Sequence, residues 1–190
     1  MKVDKVINLR NSAWLLNHYG TTFCYTWTMS YITAIGTANP SNKVSQSAIA
    51  EFMVRAMQLN ESEARKLKAL YRITGIESRY SVLSDYGKEE GFAFYSNSQD
   101  MEPFPSTRKR LELFRQHSLQ ISLDAINSCF SKRTDVDKKS ITHLIVVSCT
   151  GMYAPGLDID IVKSLGLPST IQRLCINFMG CYAAFNALKL

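Results

Sequence analysis

The stretch that decides the fold reads Ile171-Gln-Arg-Leu-Cys-Ile-Asn-Phe-Met-Gly-Cys-Tyr-Ala-Ala-Phe-Asn-Ala-Leu-Lys-Leu190. Its first part, Ile171 to Phe178, is rich in β-branched and apolar residues and predicts a buried strand. Its last part, Tyr182 to Leu190, carries Ala, Leu and Phe at helical spacing without Gly or Pro, and predicts a helix. Between them stands Met179-Gly180-Cys181. A Gly tolerates the positive φ of a sharp turn, and such a turn sets Cys181 at the start of the helix. Unpaired N–H groups and the positive end of the helix dipole there favour a thiolate, the reactive form of cysteine. Strand, tight turn, cysteine and helix together have the grammar of a nucleophile elbow.

Four other cysteines are present: Cys24, Cys129, Cys149 and Cys175. Free cysteine is among the most buried residue types, so local pattern alone leaves Cys181 open to a packing role as well as a chemical one. Strand alternation turns Cys175 inward as filler, and Cys129, near a helix end, is structural. The odd count, the lack of a CxxC pair and the wide separation of His18, His117 and His143 argue against a disulfide framework or a zinc site. A reducing cytoplasm fits this usage.

Working outward, the 190 residues suit one domain with a real core, and an apolar content of 46% against 20% charged marks a globular chain. Lys and Arg number 22 against 16 acidic residues, for a net charge of +6. The excess is spread out; it can favour anionic small molecules but is not the stripe of a nucleic-acid binder. The apolar run Ala13-Trp14-Leu15-Leu16 breaks at Asn17 and His18, so neither a signal peptide nor a membrane span is expected.

Residues 1–28 mix aromatics and threonines without a helical or strand period. Two readings stay open: Met29 is the natural start and 1–28 an extension outside the fold, or 1–28 is an added N-terminal arm. The main domain is taken as 29–190. It opens with a strand over Tyr31–Gly36. Ser45 or Ser47 caps a helix to about Leu59, with Ile49, Phe52, Met53 and Met57 on one face. Glu61 opens a second helix that turns Leu67, Leu70 and Ile73 inward and ends at Gly75. Its Arg65, Lys66, Lys68 and Arg72 form either a solvated face or a phosphate-binding surface. Ile76 to Tyr95 is short strand and loop material, and 96–106 is a connection. Thr107 caps a long helix to about Phe130, with Leu111, Phe114, Ile121, Leu123 and Ile126 as its stripe. Ile141–Ser148 is the clearest strand, and its continuous apolar run predicts burial on both faces, as in a parallel sheet. A Gly/Pro loop over 149–156 follows, then a short helix from Asp158 to Gly166. The order strand, loop, helix, strand, elbow, helix implies an α/β layered architecture.

Five motifs now combine in order: Ala34-Ile35-Gly36-Thr37-Ala38-Asn39-Pro40, Thr142-His143-Leu144, Ala154-Pro155-Gly156-Leu157-Asp158, Leu165-Gly166-Leu167, and Gly180-Cys181-Tyr182-Ala183. Their order and spacing resemble the N-terminal half of the type III polyketide synthases, the chalcone and stilbene synthase family, over roughly residues 30–190. The resemblance implies a thiolase-like α/β fold: two similar halves in α/β/α/β/α layers, in a homodimer. This chain corresponds to the N-terminal half, an α/β/α arrangement around a mixed sheet, with the second half absent.

The resemblance further implies an acyltransferase. Cys181 matches the family's nucleophile, which takes an acyl group from a coenzyme A thioester. Decarboxylative condensation with malonyl-CoA then extends that group. The family's catalytic His and Asn lie in the C-terminal half, whereas this chain runs nine residues past Cys181, so it reads as an incomplete fragment. Of three basic residues that contact coenzyme A phosphates in plant members, Lys66 matches one; Ala69 and Ile73 stand in place of the others, with Arg72 adjacent. The donor is therefore either a coenzyme A thioester or an acyl carrier protein. Cys149 and Thr150 match pocket-lining positions, and Ala154 replaces a Met of the plant enzymes, as in a bacterial-type member. No metal, no cofactor beyond coenzyme A thioesters as substrates, no nucleic acid and no membrane are implied. Two other readings are kept: a ketoacyl synthase fed by an acyl carrier protein, and a non-catalytic remnant or interaction module.

Overall fold

The computed structural model describes residues 31–190 throughout, and the backbone of 12–16 and 22–26 before them. It divides into two compact units, Met1–Thr33 and Ala34–Leu190. In the first, β1 (Ser12–Leu16) pairs antiparallel with β2 (Thr22–Thr26), with Trp14 opposite Cys24. The aperiodic composition of residues 1–28 did not foretell these strands. The side chain of Cys24, His18 and the Met29 start lie outside the described residues.

The strand expected over Tyr31–Gly36 is absent: residues 31–40 have no regular structure. A strand needs a ladder partner, and none of the described strands pairs with this segment. Instead the Ile35 carbonyl accepts from Lys132 Nζ at 2.7 Å, and Gly36 lies against the helix backbone at Ala125 and Cys129. Tyr31, Ile32 and Ile35 are exposed.

Next, β3 (Asn42–Ser45) pairs antiparallel with β4 (Ser78–Ser81) around a helical hairpin. Helix α1 (Gln46–Ala56) starts where Ser45 Oγ accepts the Ala48 N–H at 3.1 Å. It buries Ile49 and Phe52, while Met53 is half-buried and Met57 is exposed. Helix α2 (Glu61–Ile73) opens on a reciprocal cap between Asn60 and Glu63. Leu67 is half-buried; Leu70 and Ile73, expected inward, are exposed. The helical period identifies one apolar face, but α1 covers only part of it.

The core beneath α1 joins Phe52, Ala56, Phe92 and Met101, with Met53, Tyr86 and Tyr95 packed on it. Phe52 meets the Tyr86 and Tyr95 rings edge-on at 5.0 and 5.1 Å between centroids. The loop that supplies these aromatics is held by Asp85. Its buried carboxylate accepts the backbone N–H groups of Ala93, Phe94 and Tyr95 at 3.0, 2.8 and 2.9 Å.

Helix α3 (Thr107–Phe130) is capped one residue earlier than expected, by Ser106. It packs on α4 (Leu157–Leu165), the crossover between β5 (His143–Ser148) and β6 (Gln172–Asn177). The two strands run parallel, with Val146 opposite Cys175 and Ser148 opposite Asn177. The continuous apolar run of β5 suggests cover on both faces, yet Val146 is its single buried residue and Val147 is exposed. Only Ile176 is buried in β6. The described strands thus form three separate pairs rather than one broad sheet. The short α5 (Ala183–Ala187) follows β6, and most residues of β6 are exposed. No helix among the described residues is long and apolar enough to cross a membrane.

Candidate active site

β5 and β6 end side by side. The Phe178 N–H donates to the Ser148 carbonyl at 3.0 Å, one step past the last paired residues. Beyond that bond both chains leave the sheet, β5 into 149–156 and β6 into 178–182. In a parallel sheet such carboxyl ends are where α/β proteins gather reactive groups, because crossover helices cover the faces and leave the edge open. Cys149 and Thr150 leave one strand there, and Cys181 the other; all three are exposed.

The turn before Cys181 is built as the sequence requires. Phe178 and Gly180 both take positive φ, 59° and 73°, and the Ala183 N–H donates to the Gly180 carbonyl at 3.0 Å. Only Gly adopts such a φ without strain from a Cβ. The helix that follows is shorter than the expected 182–190, and Tyr182 occupies its N-cap. Cys181 therefore stands just ahead of the helix rather than within its first turn. Cys181 is exposed, and the five-residue helix after it supplies only a weak dipole.

Cys175 is not core filler. It is exposed on the β6 face that carries Arg173, yet neighbouring atoms partly desolvate its thiol, and this together with the nearby Asp158 carboxylate raises its pKa. Both effects disfavour the thiolate. Cys129 is half-buried on α3, with its backbone against Gly36. Among the described residues, no group of three His, Cys, Asp or Glu is placed to hold a metal ion.

Lys66 belongs to a different part of the unit. It lies exposed on α2, which packs on α1, and makes no ion pair among the described residues. Its neighbours are occupied: Arg65 pairs with Glu61 at 3.4 Å and Lys68 with Glu51 at 2.6 Å. The structure thus brings Cys149, Thr150 and Cys181 to one edge and leaves Lys66 on a separate helix. Sequence reasoning missed the polar residues behind the 149–156 loop, Tyr153, Asp158, Asp160 and Arg173. Acids in the first turn of a helix look like ordinary dipole partners, and nothing in the local pattern pairs them with a residue on the next strand.

A loop and an exposed cysteine thus meet at the carboxyl ends of two adjacent parallel strands, in an α/β unit of the thiolase-like class. Comparison with known proteins gives the family. Residues 25–190 match the model of the chalcone and stilbene synthases, N-terminal domain, and the chain belongs to that family. It is 32% identical over 159 residues to type III polyketide synthase C of Arabidopsis thaliana, covering 83% of this chain and 40% of that protein. It is 31% identical over 166 residues to an alpha-pyrone synthesis polyketide synthase-like protein of Mycobacterium tuberculosis, covering 85% of this chain and 39% of that one. The crystal structure of a polyketide synthase, PKS-I, from the brown alga Ectocarpus siliculosus superposes with a TM-score of 0.70 at 28% identity, over 82% of this chain and 41% of that one. The chain thus spans about 40% of the length of the relatives it matches.

Proposed function

We propose that this chain carries the acyl-accepting half of a type III polyketide synthase site, with Cys181 as the nucleophile. The carrying observation is the exposed Cys181 on a glycine turn, at the same edge of β5–β6 as Cys149 and Thr150. The Cys181 thiolate attacks the carbonyl carbon of an acyl-coenzyme A thioester. The new carbon–sulfur bond forms as the bond to coenzyme A breaks, and the departing thiolate takes up a proton. One thioester replaces another of similar energy, so the acyl group stays activated. In the full-length enzyme, malonyl-CoA loses carbon dioxide, the resulting carbanion attacks the acyl group, and the Cys181 thiolate leaves. The family's His and Asn, which serve that step, lie outside the residues matched here.

Cys149 and Thr150 line the acyl pocket in this reading, and Lys66 contacts a coenzyme A phosphate. The substrates are coenzyme A thioesters, without a resident cofactor or metal, in a cytoplasmic enzyme that is a homodimer at full length. Acyl transfer is tested by incubating the native chain with hexanoyl-CoA and measuring its intact mass. One hexanoyl group is expected on the native chain and on Cys175→Ala, and none on Cys181→Ala. Equal labelling of both variants removes Cys181 from its role. The absence of basic residues at Ala69 and Ile73 favours comparing a second donor. Labelling from a hexanoyl acyl carrier protein but not from hexanoyl-CoA would assign the ketoacyl synthase reading instead.

A further inference from the structure

Behind the 149–156 loop lies a set of polar side chains that acyl transfer does not use. Asp158, in the first turn of α4, is buried. Its Oδ2 accepts from Arg173 Nη1 of β6 at 2.5 Å. The backbone makes room for this carboxylate, since Gly156 has a φ of +133° and a Cβ there would press on Asp158 Oδ1. Two residues on, Asp160 accepts from the Tyr153 hydroxyl at 2.6 Å. Tyr153 belongs to the loop itself. Burial and the Asp160 carboxylate push its hydroxyl up to about 12, so it remains a donor at neutral pH. From α3, the Phe114 ring stands 6.3 Å from the Tyr153 ring, and the Arg115 guanidinium lies 5.6 Å from its centre.

These contacts form two ties in series. Tyr153–Asp160 fastens the loop to α4, and Asp158–Arg173 fastens α4 to β6. Asp158 is buried but Arg173 is exposed, and an ion pair open to water on one side adds little to stability. What it supplies is direction: each bond has one geometry, so the first turn of α4 has one setting on β6. We propose that Tyr153, Asp158 and Arg173 are positioning residues that hold Cys149 and Thr150 at a fixed place relative to Cys181. What the positioning serves rests on the acyl-transfer reading; the tie itself does not.

The test uses the native chain, Arg173→Leu, Arg173→Lys and Tyr153→Phe, with two readouts. The first is amide hydrogen exchange in peptides covering 149–157, with α3 peptides as control. The second is the hexanoyl-CoA concentration that half-saturates acyl loading of Cys181, set against the maximal loading rate. Arg173→Leu and Tyr153→Phe should each speed loop exchange about tenfold while α3 is unchanged, as for a local opening. Half-saturation should rise about tenfold with the maximal rate within about threefold, since a displaced pocket weakens binding more than chemistry. Arg173→Lys, which keeps the charge, should restore both. Unchanged loop exchange, exchange rising equally in α3, or faster loop exchange without a shift in half-saturation would each overturn the proposal. A native chain that takes no acyl group overturns the acyl-transfer reading instead, and the tie then stands or falls on exchange alone.

Discussion

Asp85 shows how one side chain can organise a segment without regular structure. Burial alone would raise its pKa, but three backbone N–H donors and the charge of Lys88 outweigh that and hold it below the ordinary carboxylate value. A folded-state pKa below the unfolded one means that the ionised form favours the fold. The contribution is complete above the unfolded value, near 4, and is lost as pH falls through the folded pKa. Asp85→Asn keeps the shape but turns an amide N–H toward backbone donors. It should lower stability by roughly 2–3 kcal/mol at neutral pH, measured by urea denaturation, and should flatten the loss of stability below pH 4. Nothing in the sequence marks this Asp, because its partners are backbone amides eight to ten residues away. The turn ahead of Cys181 was legible, since Gly180 and the strand that leads to it both lie within ten residues. Cys175 was misread for a complementary reason: period-two alternation separates two faces of a strand but does not say which one is covered.

At the scale of elements, local chemistry was read well and burial poorly. The cap of α1, the length of α3 and the stop of α4 at Gly166 depend on a few adjacent residues, and each is found within a residue of its expected place. The strand over 31–36 and the inward face of α2 depended on partners elsewhere in the fold, and both expectations failed. The start of α2 offers a clean measure of the local contribution. Asn60→Ala removes the acceptor for the Glu63 N–H, and with it one side of the reciprocal cap. The expected cost is about 1 kcal/mol, read as a shift of the urea midpoint with unchanged slope. Cys181 labelling should be unaffected.

For the whole molecule, the distribution of apolar surface is the main finding. Val147, Leu174, Phe178, Met179, Tyr182, Phe185 and Leu188 are all exposed, and they cluster in sequence on β5, β6 and the residues after them. Clustered exposure of this kind is unusual on the surface of a monomeric soluble protein. The native chain should therefore bind an environment-sensitive apolar dye strongly, and Phe185→Glu with Leu188→Glu should weaken that binding severalfold. A native chain that fails to brighten the dye would show that these residues are not available as a patch. The thiolase-like class was readable from five short motifs in order, while the expected burial of β5 on both faces failed, because hydrophobicity reports what a residue prefers and not whether a neighbour is present.

The parallel pairing of β5 with β6 has one more consequence, in the order of synthesis. When β5 emerges from the ribosome, the strand that will bond its edge is still behind it in the exit tunnel. The nascent chain must carry an unpaired, strongly apolar strand until the loop, α4 and β6 have all emerged. Such an edge is a template for pairing with other chains. A cell making this protein at a high rate is expected to rely on chaperones during that interval.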